Sequence, residues 1–169
     1  IADKFVVGHI GRFGFMKNHQ YLVAVFAELC KMRDDAVLVL IGKGELEERV
    51  RAQVNGLGLA DKVLFLGSRL DVERYYQAFD YFVFPSTLEG LPGSVVEAQA
   101  AGLCCLVSDR VTREVALTEL VTYKSIEEPA VSWAAEIMRS EKKALERQDM
   151  CAAIAGKHFD VRQQAAEME

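Results

Sequence analysis

A doubly wound α/β fold with a parallel sheet is predicted for this 169-residue chain by three observations. Short β-branched apolar runs alternate with amphipathic stretches of about ten to fifteen residues, the spacing of strands joined by crossover helices. Runs such as Ala36–Ile41 are apolar almost throughout, as a strand covered on both faces must be. Glycine-rich turns follow the first two runs, where such folds collect their ligands.

The elements follow in order. Phe5 to Ile10 is the first strand, and a turn from Gly11 to Gly14 leads into a helix from Asn18 to Met32. Leu22, Val25, Phe26 and Leu29 recur there at helical spacing and turn one stripe toward a core. Ala36 to Ile41 is the second strand, and Gly42-Lys43-Gly44 opens a charged helix from Glu45 to about Asn55. Lys62 to Leu66 is the third strand, ended by Gly67, and Asp71 is placed to cap a helix carrying Val72, Tyr75 and Tyr76. Tyr81 to Phe84 is the fourth strand, stopped by Pro85. A helix from about Gly93 to Ala101 ends at Gly102, and Leu103 to Val107 is the fifth strand. Leu120 to Tyr123 forms a short sixth. From Pro129 onward the chain reads as helix, with Trp133, Ile137 and Met138 on one stripe and further helical stretches to about Gly156 and from Asp160 to the end.

Composition narrows the function. The balance of apolar and charged residues is that of one globular domain, residues 1–169, and the net charge of −5 excludes an extended nucleic-acid surface, which needs clustered cations. Cys30, Cys104, Cys105 and Cys151 show no CxxC or Cys/His metal spacing and are expected as reduced core thiols. His19 and His158 likewise lack spacing to Cys or carboxylate clusters that would suggest a metal. No apolar run approaches the ~20 residues of a membrane span, and the first residues lack the order of a signal peptide, which makes the cytoplasm the expected location. The abrupt start near a strand, without an initiator Met, is what an excised domain looks like.

Three loops are candidates for chemistry. Gly11-Arg12-Phe13-Gly14-Phe15-Met16-Lys17-Asn18 brings two cations to a helix N-terminus and could hold a diphosphate; the same residues also suit a solvated loop. Its spacing is neither a Walker loop nor a GxGxxG fingerprint. Gly42-Lys43-Gly44-Glu45 is better read as a tight turn with a helix cap. In the third loop, Glu89 and Glu97 bracket Gly90-Leu91-Pro92-Gly93-Ser94. Glu97 sits among Val95, Val96 and Ala98, where a carboxylate needs a partner such as a pair of sugar hydroxyls. Glu89 suits hydrogen bonds from a hexose, and N–H groups between Gly90 and Ser94 could meet phosphate. An exposed turn residue and an exposed helix position remain the alternative for these two carboxylates. His9 is expected to be a hydrogen-bonded structural histidine, and Trp133 a packing residue.

Taken together, Gly11-Arg12 with Lys17, the segment Leu66 to Val72, Phe82-Val83-Phe84-Pro85-Ser86, and Glu89-Gly90-Leu91-Pro92 through Glu97 to Gly102 resemble the C-terminal domain of family 4 retaining glycosyltransferases of GT-B fold, in particular bacterial enzymes of capsular or exopolysaccharide synthesis. The resemblance spans most of the chain in the family's order. It implies that Arg12 and Lys17 hold a donor diphosphate and, with Glu89 at the transferred sugar, form the catalytic set. Gly11, Arg69, Gly90, Leu91, Gly93 and Ser94 would complete the donor site, with Glu97 on the ribose hydroxyls and the base near Gly67 to Leu70. The donor would be a nucleotide sugar, UDP-linked, with no metal or other cofactor. A glycan or lipid-linked acceptor would be held by an N-terminal domain outside these residues, at the inner face of the cell membrane, and this domain alone would bind donor without efficient transfer. The Phe159 to Met168 segment resembles the terminal helix that returns toward that domain. The chain departs from the family at Asn18, where a glycine is frequent, at Leu91-Pro92 in place of Phe-Gly, and at Ser108 to Glu114, where a Gly-Gly pair is frequent. The competing expectations are another GT-B enzyme, such as a nucleotide-sugar epimerase or a phosphorylase, and a noncatalytic Rossmann-like interaction module.

Overall fold

Strand β1 (Phe5–Ile10) lies at the centre of a six-stranded sheet, with β2 (Ala36–Ile41) on one side and β4 (Tyr81–Phe84) on the other. The computed structural model describes residues 3–145 and 147–155. With β3 (Val63–Phe65), β5 (Cys104–Ser108) and β6 (Val121–Lys124), the order is β3-β2-β1-β4-β5-β6, every pairing parallel. The predicted α/β class is the observed one. After β3 the chain crosses back to the other side of β1, so the loops leaving β1 and β4 diverge and open a crevice at the strands' carboxyl ends.

Successive side chains on a strand point to opposite faces, and the core is split accordingly. Val7, Leu38, Leu40, Tyr81, Val83, Cys104 and Leu106 pack under α1 (His19–Met32) and α5 (Ala130–Leu145) with Leu22, Phe26, Leu29, Trp133 and Ile137. Val6, Val37, Val39, Phe82, Phe84, Cys105 and Val107 pack on the other face against Tyr76 of α3 (Val72–Ala78) and Val95 and Ala98 of α4 (Gly93–Ala100). Trp133 is the packing residue expected, with its indole N–H donating to the Ser125 carbonyl at 2.8 Å.

Several expectations are corrected. Helix α2 (Glu47–Gly56) begins two residues later than Glu45: Leu46, at φ −96° and ψ 2°, is its N-cap, and the Leu46 carbonyl accepts from Val50 N–H. Asp71 stands at the N-terminus of α3 but its side chain makes no capping bond; its backbone carbonyl accepts from Arg74 N–H instead. Cys104 and Cys105 are buried and Cys30 is half-buried, but Cys151, which opens the short helix α6 (Cys151–Ile154), is exposed. The helix predicted from Asp160, the residues beyond 155 in the stretch ending at Gly156, and the Phe159 to Met168 segment lie outside the described residues.

Candidate functional site

The loops after β1, β2 and β3 are stitched together at the carboxyl edge of the sheet. Gly11 N–H donates to the Ile41 carbonyl at 2.9 Å, Gly42 N–H to Gly67 at 2.9 Å, and Phe13 N–H to Lys43 at 3.2 Å. These bonds continue the sheet ladder past the strand ends into an ordered rim. The Gly42–Gly44 segment is thus the tight turn expected but not the helix cap, since Leu46 is the N-cap of α2. A cleft of about 360 Å³ opens on this rim, lined by Gly11, Arg12, Lys43, Ser68, Arg69 and Val72.

Lys17 ends a single 3-10 turn, Phe15–Lys17, and Asn18 then takes φ 54°, ψ 44° before α1 begins. This is the left-handed region, which a glycine enters without strain and an asparagine enters more readily than most residues. The departure from the family at Asn18 therefore preserves the turn. It delivers the Lys17 ammonium to Glu89, where it donates to Oε1 at 2.6 Å and lies 4.6 Å from the centre of the Phe84 ring. The two side chains are only 20% and 17% exposed, so this pair is better shielded than a surface ion pair. Glu89 is held from behind as well: its carbonyl accepts from Thr112 N–H at 3.3 Å, and it bridges to the buried Val111. The segment that replaces the Gly-Gly pair thus braces the Glu89 loop. Arg12 pairs with Glu45 at 3.1 Å, both largely exposed. A second cleft, of about 510 Å³, brings Arg12, Lys17, Glu45 and Glu89 together.

Glu97 is exposed on its helix, the alternative left open for it. It nevertheless has a partner, the Tyr76 hydroxyl, which donates to Oε2 at 2.8 Å. Tyr76 is buried, and burial together with the Glu97 charge pushes its ionisation well above the usual tyrosine range, so it stays a donor. Both line a third cleft, of about 310 Å³, with Val72, Glu73, Ala100 and Cys151. Gly90, Leu91 and Gly93 are exposed on the loop between the two carboxylates, and Ser94 is half-buried. Val95 and Val96 N–H groups bond to the Pro92 carbonyl, which leaves Gly93 and Ser94 to present the open N–H groups of α4.

His9 is the structural histidine expected: it is fully buried, and Nδ1–H donates to the Val83 carbonyl at 2.8 Å. Sequence reasoning missed three neighbours of the site. Tyr76 carried a signal only as one more position on a helical stripe, and Glu45 only as a charge after a glycine turn. His19, buried edge-on to His9 and stacked 4.1 Å from Phe13, had none.

The family described as "Glycosyl transferases group 1" matches residues 1–157. The chain belongs to that family. Among curated group 1 relatives, it is 41% identical over 140 residues to the putative glycosyltransferase EpsF of Bacillus subtilis, covering 82% of this chain and 36% of EpsF. It is 36% identical over 114 residues to a UDP-Gal:alpha-D-GlcNAc-diphosphoundecaprenol alpha-1,3-galactosyltransferase of Escherichia coli, covering 63% and 28% of the two chains. Among solved structures, Anabaena HepE in complex with UDP-glucose superposes with a TM-score of 0.81 at 26% identity, over 99% of this chain and 49% of that one. The group 1 chain thus spans half or less of these relatives' length. Among its described residues no helix is long and apolar enough to cross a membrane, and no three His, Cys, Asp or Glu side chains are grouped to hold a metal ion.

Proposed function

We propose that this chain is the donor-binding half of a retaining glycosyltransferase that uses a UDP sugar. The observation that carries the reading is the convergence of Arg12, Lys17 and Glu89 on one cleft at the β1/β4 divergence. In this reading the diphosphate lies across Gly11, Arg12 and Lys17. Backbone N–H groups of Gly90, Leu91, Gly93 and Ser94 serve the phosphate and sugar, Arg69 stands by the base, and Glu97 takes the ribose diol. Departure of the nucleotide concentrates charge on its terminal phosphate, and preformed cations in a partly shielded cleft stabilise that charge in the transition state. Lys17 is already aimed by Glu89, so its ammonium has little reorganisation left to do, while Glu89 contacts the sugar near its anomeric carbon. Retention follows when the acceptor attacks from the face the nucleotide leaves. The charge at the leaving group is supplied by Arg12 and Lys17, and no divalent cation enters the scheme. The UDP preference is supported by the nucleotides named for HepE and the Escherichia coli relative. The acceptor, a glycan or an undecaprenyl-type lipid carrier, belongs to a second domain in this reading, with the whole enzyme at the cytoplasmic face of the membrane. Orientation of an acceptor supplies roughly 7–11 kcal/mol of barrier lowering in favourable cases, so this half alone binds donor without efficient transfer.

Calorimetric titration of the chain with UDP, GDP, ADP and their glucose conjugates, with and without magnesium, tests this. Saturable, magnesium-independent binding of UDP and UDP-sugar is expected; a folded chain that binds none of them is either an interaction module or a site completed only by the second domain. Lys17→Ala is expected to weaken UDP by about 10- to 100-fold, the effect of losing a charged hydrogen bond and leaving Glu89 unneutralised beside the phosphates. An affinity within twofold of the parent would remove Lys17 from the diphosphate site.

A further inference from the structure

We propose that Tyr76 is a positioning residue that presets the Glu97 carboxylate for a ribose diol, and that Arg147 holds the Tyr76 helix in place from its other end. The proposal rests on reading Glu97 as the ribose acceptor and goes beyond it by assigning how that carboxylate is aimed.

Glu97 is exposed on α4, and a glutamate there would otherwise sample many rotamers and lose that freedom on binding. Its Oε2 instead accepts from the Tyr76 hydroxyl, and among the described residues this is the side chain's one hydrogen bond. The Ser94 carbonyl, at 3.1 Å, is the competing acceptor, but the carboxylate is closer and charged. Each carboxylate oxygen has two acceptor sites, so Oε2 can take the tyrosine proton and a ligand hydroxyl while Oε1 takes the other hydroxyl. The phenol is itself immobile: Tyr76 is 2% exposed, with its ring against Phe79 and Phe82.

Arg147 lies between α5 and α6 and works on backbone atoms. Its guanidinium donates to the carbonyls of Tyr76 at 2.8 Å, Phe79 at 3.1 Å and Gln77 at 3.2 Å, and to that of Ala101. Those are carbonyls at the C-terminal ends of α3 and α4, which have no partner within their own helices. One planar fork therefore ties together the ends of the two helices whose side chains meet at Tyr76 and Glu97. The walls of the third cleft are braced twice, once at the carboxylate and once at the helix ends.

The test is titration of the chain with UDP and with 2′-deoxy-UDP. The parent is expected to prefer UDP by about tenfold, the value of one charged hydrogen bond. Tyr76→Phe, which keeps the ring in the core, is expected to cut that preference to about threefold and to have no further effect once Glu97 is alanine. Arg147→Lys, which keeps the charge but not the fork, is expected to lower the preference in the same direction. A Tyr76→Phe chain with the full preference, alongside a Glu97→Ala chain that has lost it, overturns the positioning role and leaves the ribose contact standing. No preference in the parent, or an intact preference in Glu97→Ala, overturns the ribose contact and this proposal with it. An unchanged preference in Arg147→Lys overturns the part assigned to Arg147.

Discussion

Replacing Gly42 with alanine is expected to lower stability by roughly 3 kcal/mol or more and to abolish measurable UDP binding, because steric conflict and backbone strain act at one point. A β-carbon at Gly42 would lie 2.0 Å from the Gly11 carbonyl oxygen, and its φ of +145° is one that side-chain-bearing residues rarely adopt. The clash is with backbone, and that backbone cannot withdraw: Gly11 N–H is bonded to Ile41, and Gly42 N–H to Gly67. Relief must break the rim that carries Arg12. In a domain of this size the loss corresponds to a fall in melting temperature of about 6–12 °C. Gly56, the last residue of α2, is the matched control, because a β-carbon there meets nothing within 4 Å. Gly56→Ala is expected to leave the denaturation midpoint unchanged or raise it slightly. A Gly42→Ala chain that melts with the parent would show that the stitched rim does not hold the site.

The rim also shows why parts of the structure were legible in the sequence and others were not. The strands are apolar on both faces and the helices on one, and those periodicities are local, so Phe5–Ile10, Ala36–Ile41 and Tyr81–Phe84 appear with the ends predicted for them. At the start of α2 the non-helical Leu46 is tied to the distant Phe13 carbonyl, and no local signal in Glu45 reports that contact. Glu97 is exposed for a geometric reason that its apolar neighbours in sequence do not report. Neighbours in sequence on a helix point in different directions, and only residues three or four apart share a face. Val95 and Ala98 are three apart and turn into the core, so Glu97 faces outward. The partners of the two carboxylates were equally out of reach. Lys17 and Glu89 are 72 residues apart and Tyr76 and Glu97 are 21 apart; the first pair meets because crossover connections return two loops to the same edge, the second because they lay α3 and α4 side by side on one face. Composition marks such residues as chargeable; topology decides whom they meet.

The second large effect is expected in acid. The His9 imidazole is pushed down to about 4 and that of His19 to about 2, in both cases first by burial; His19 is lowered further by His9, and both by the nearby Lys17 ammonium. Both rings therefore stay neutral in the folded chain at pH values where the unfolded chain, with its ordinary value of 6.5, takes up a proton on each. A folded value below the unfolded one in a histidine means that the unfolded state binds more protons, so stability is complete above about pH 6.5 and is lost as the pH falls. Each group contributes about 1.4 kcal/mol per pH unit below its unfolded value, which makes the expected loss roughly 5 kcal/mol between pH 7 and pH 4.5. The consequence is local as well as global, since protonating either ring places a second cation near Lys17. Urea denaturation across this range reads the slope, and a substitution assigns it. His19 has no hydrogen-bond partner on either ring nitrogen among the described residues and stacks on Phe13, so phenylalanine can occupy its place without orphaning a polar group. His19→Phe is expected to halve the acid-induced loss while leaving stability at pH 7 within about 1 kcal/mol of the parent. An acid slope that His19→Phe does not change would mean that carboxylates elsewhere, and not this buried imidazole pair, set the acid limit of the fold.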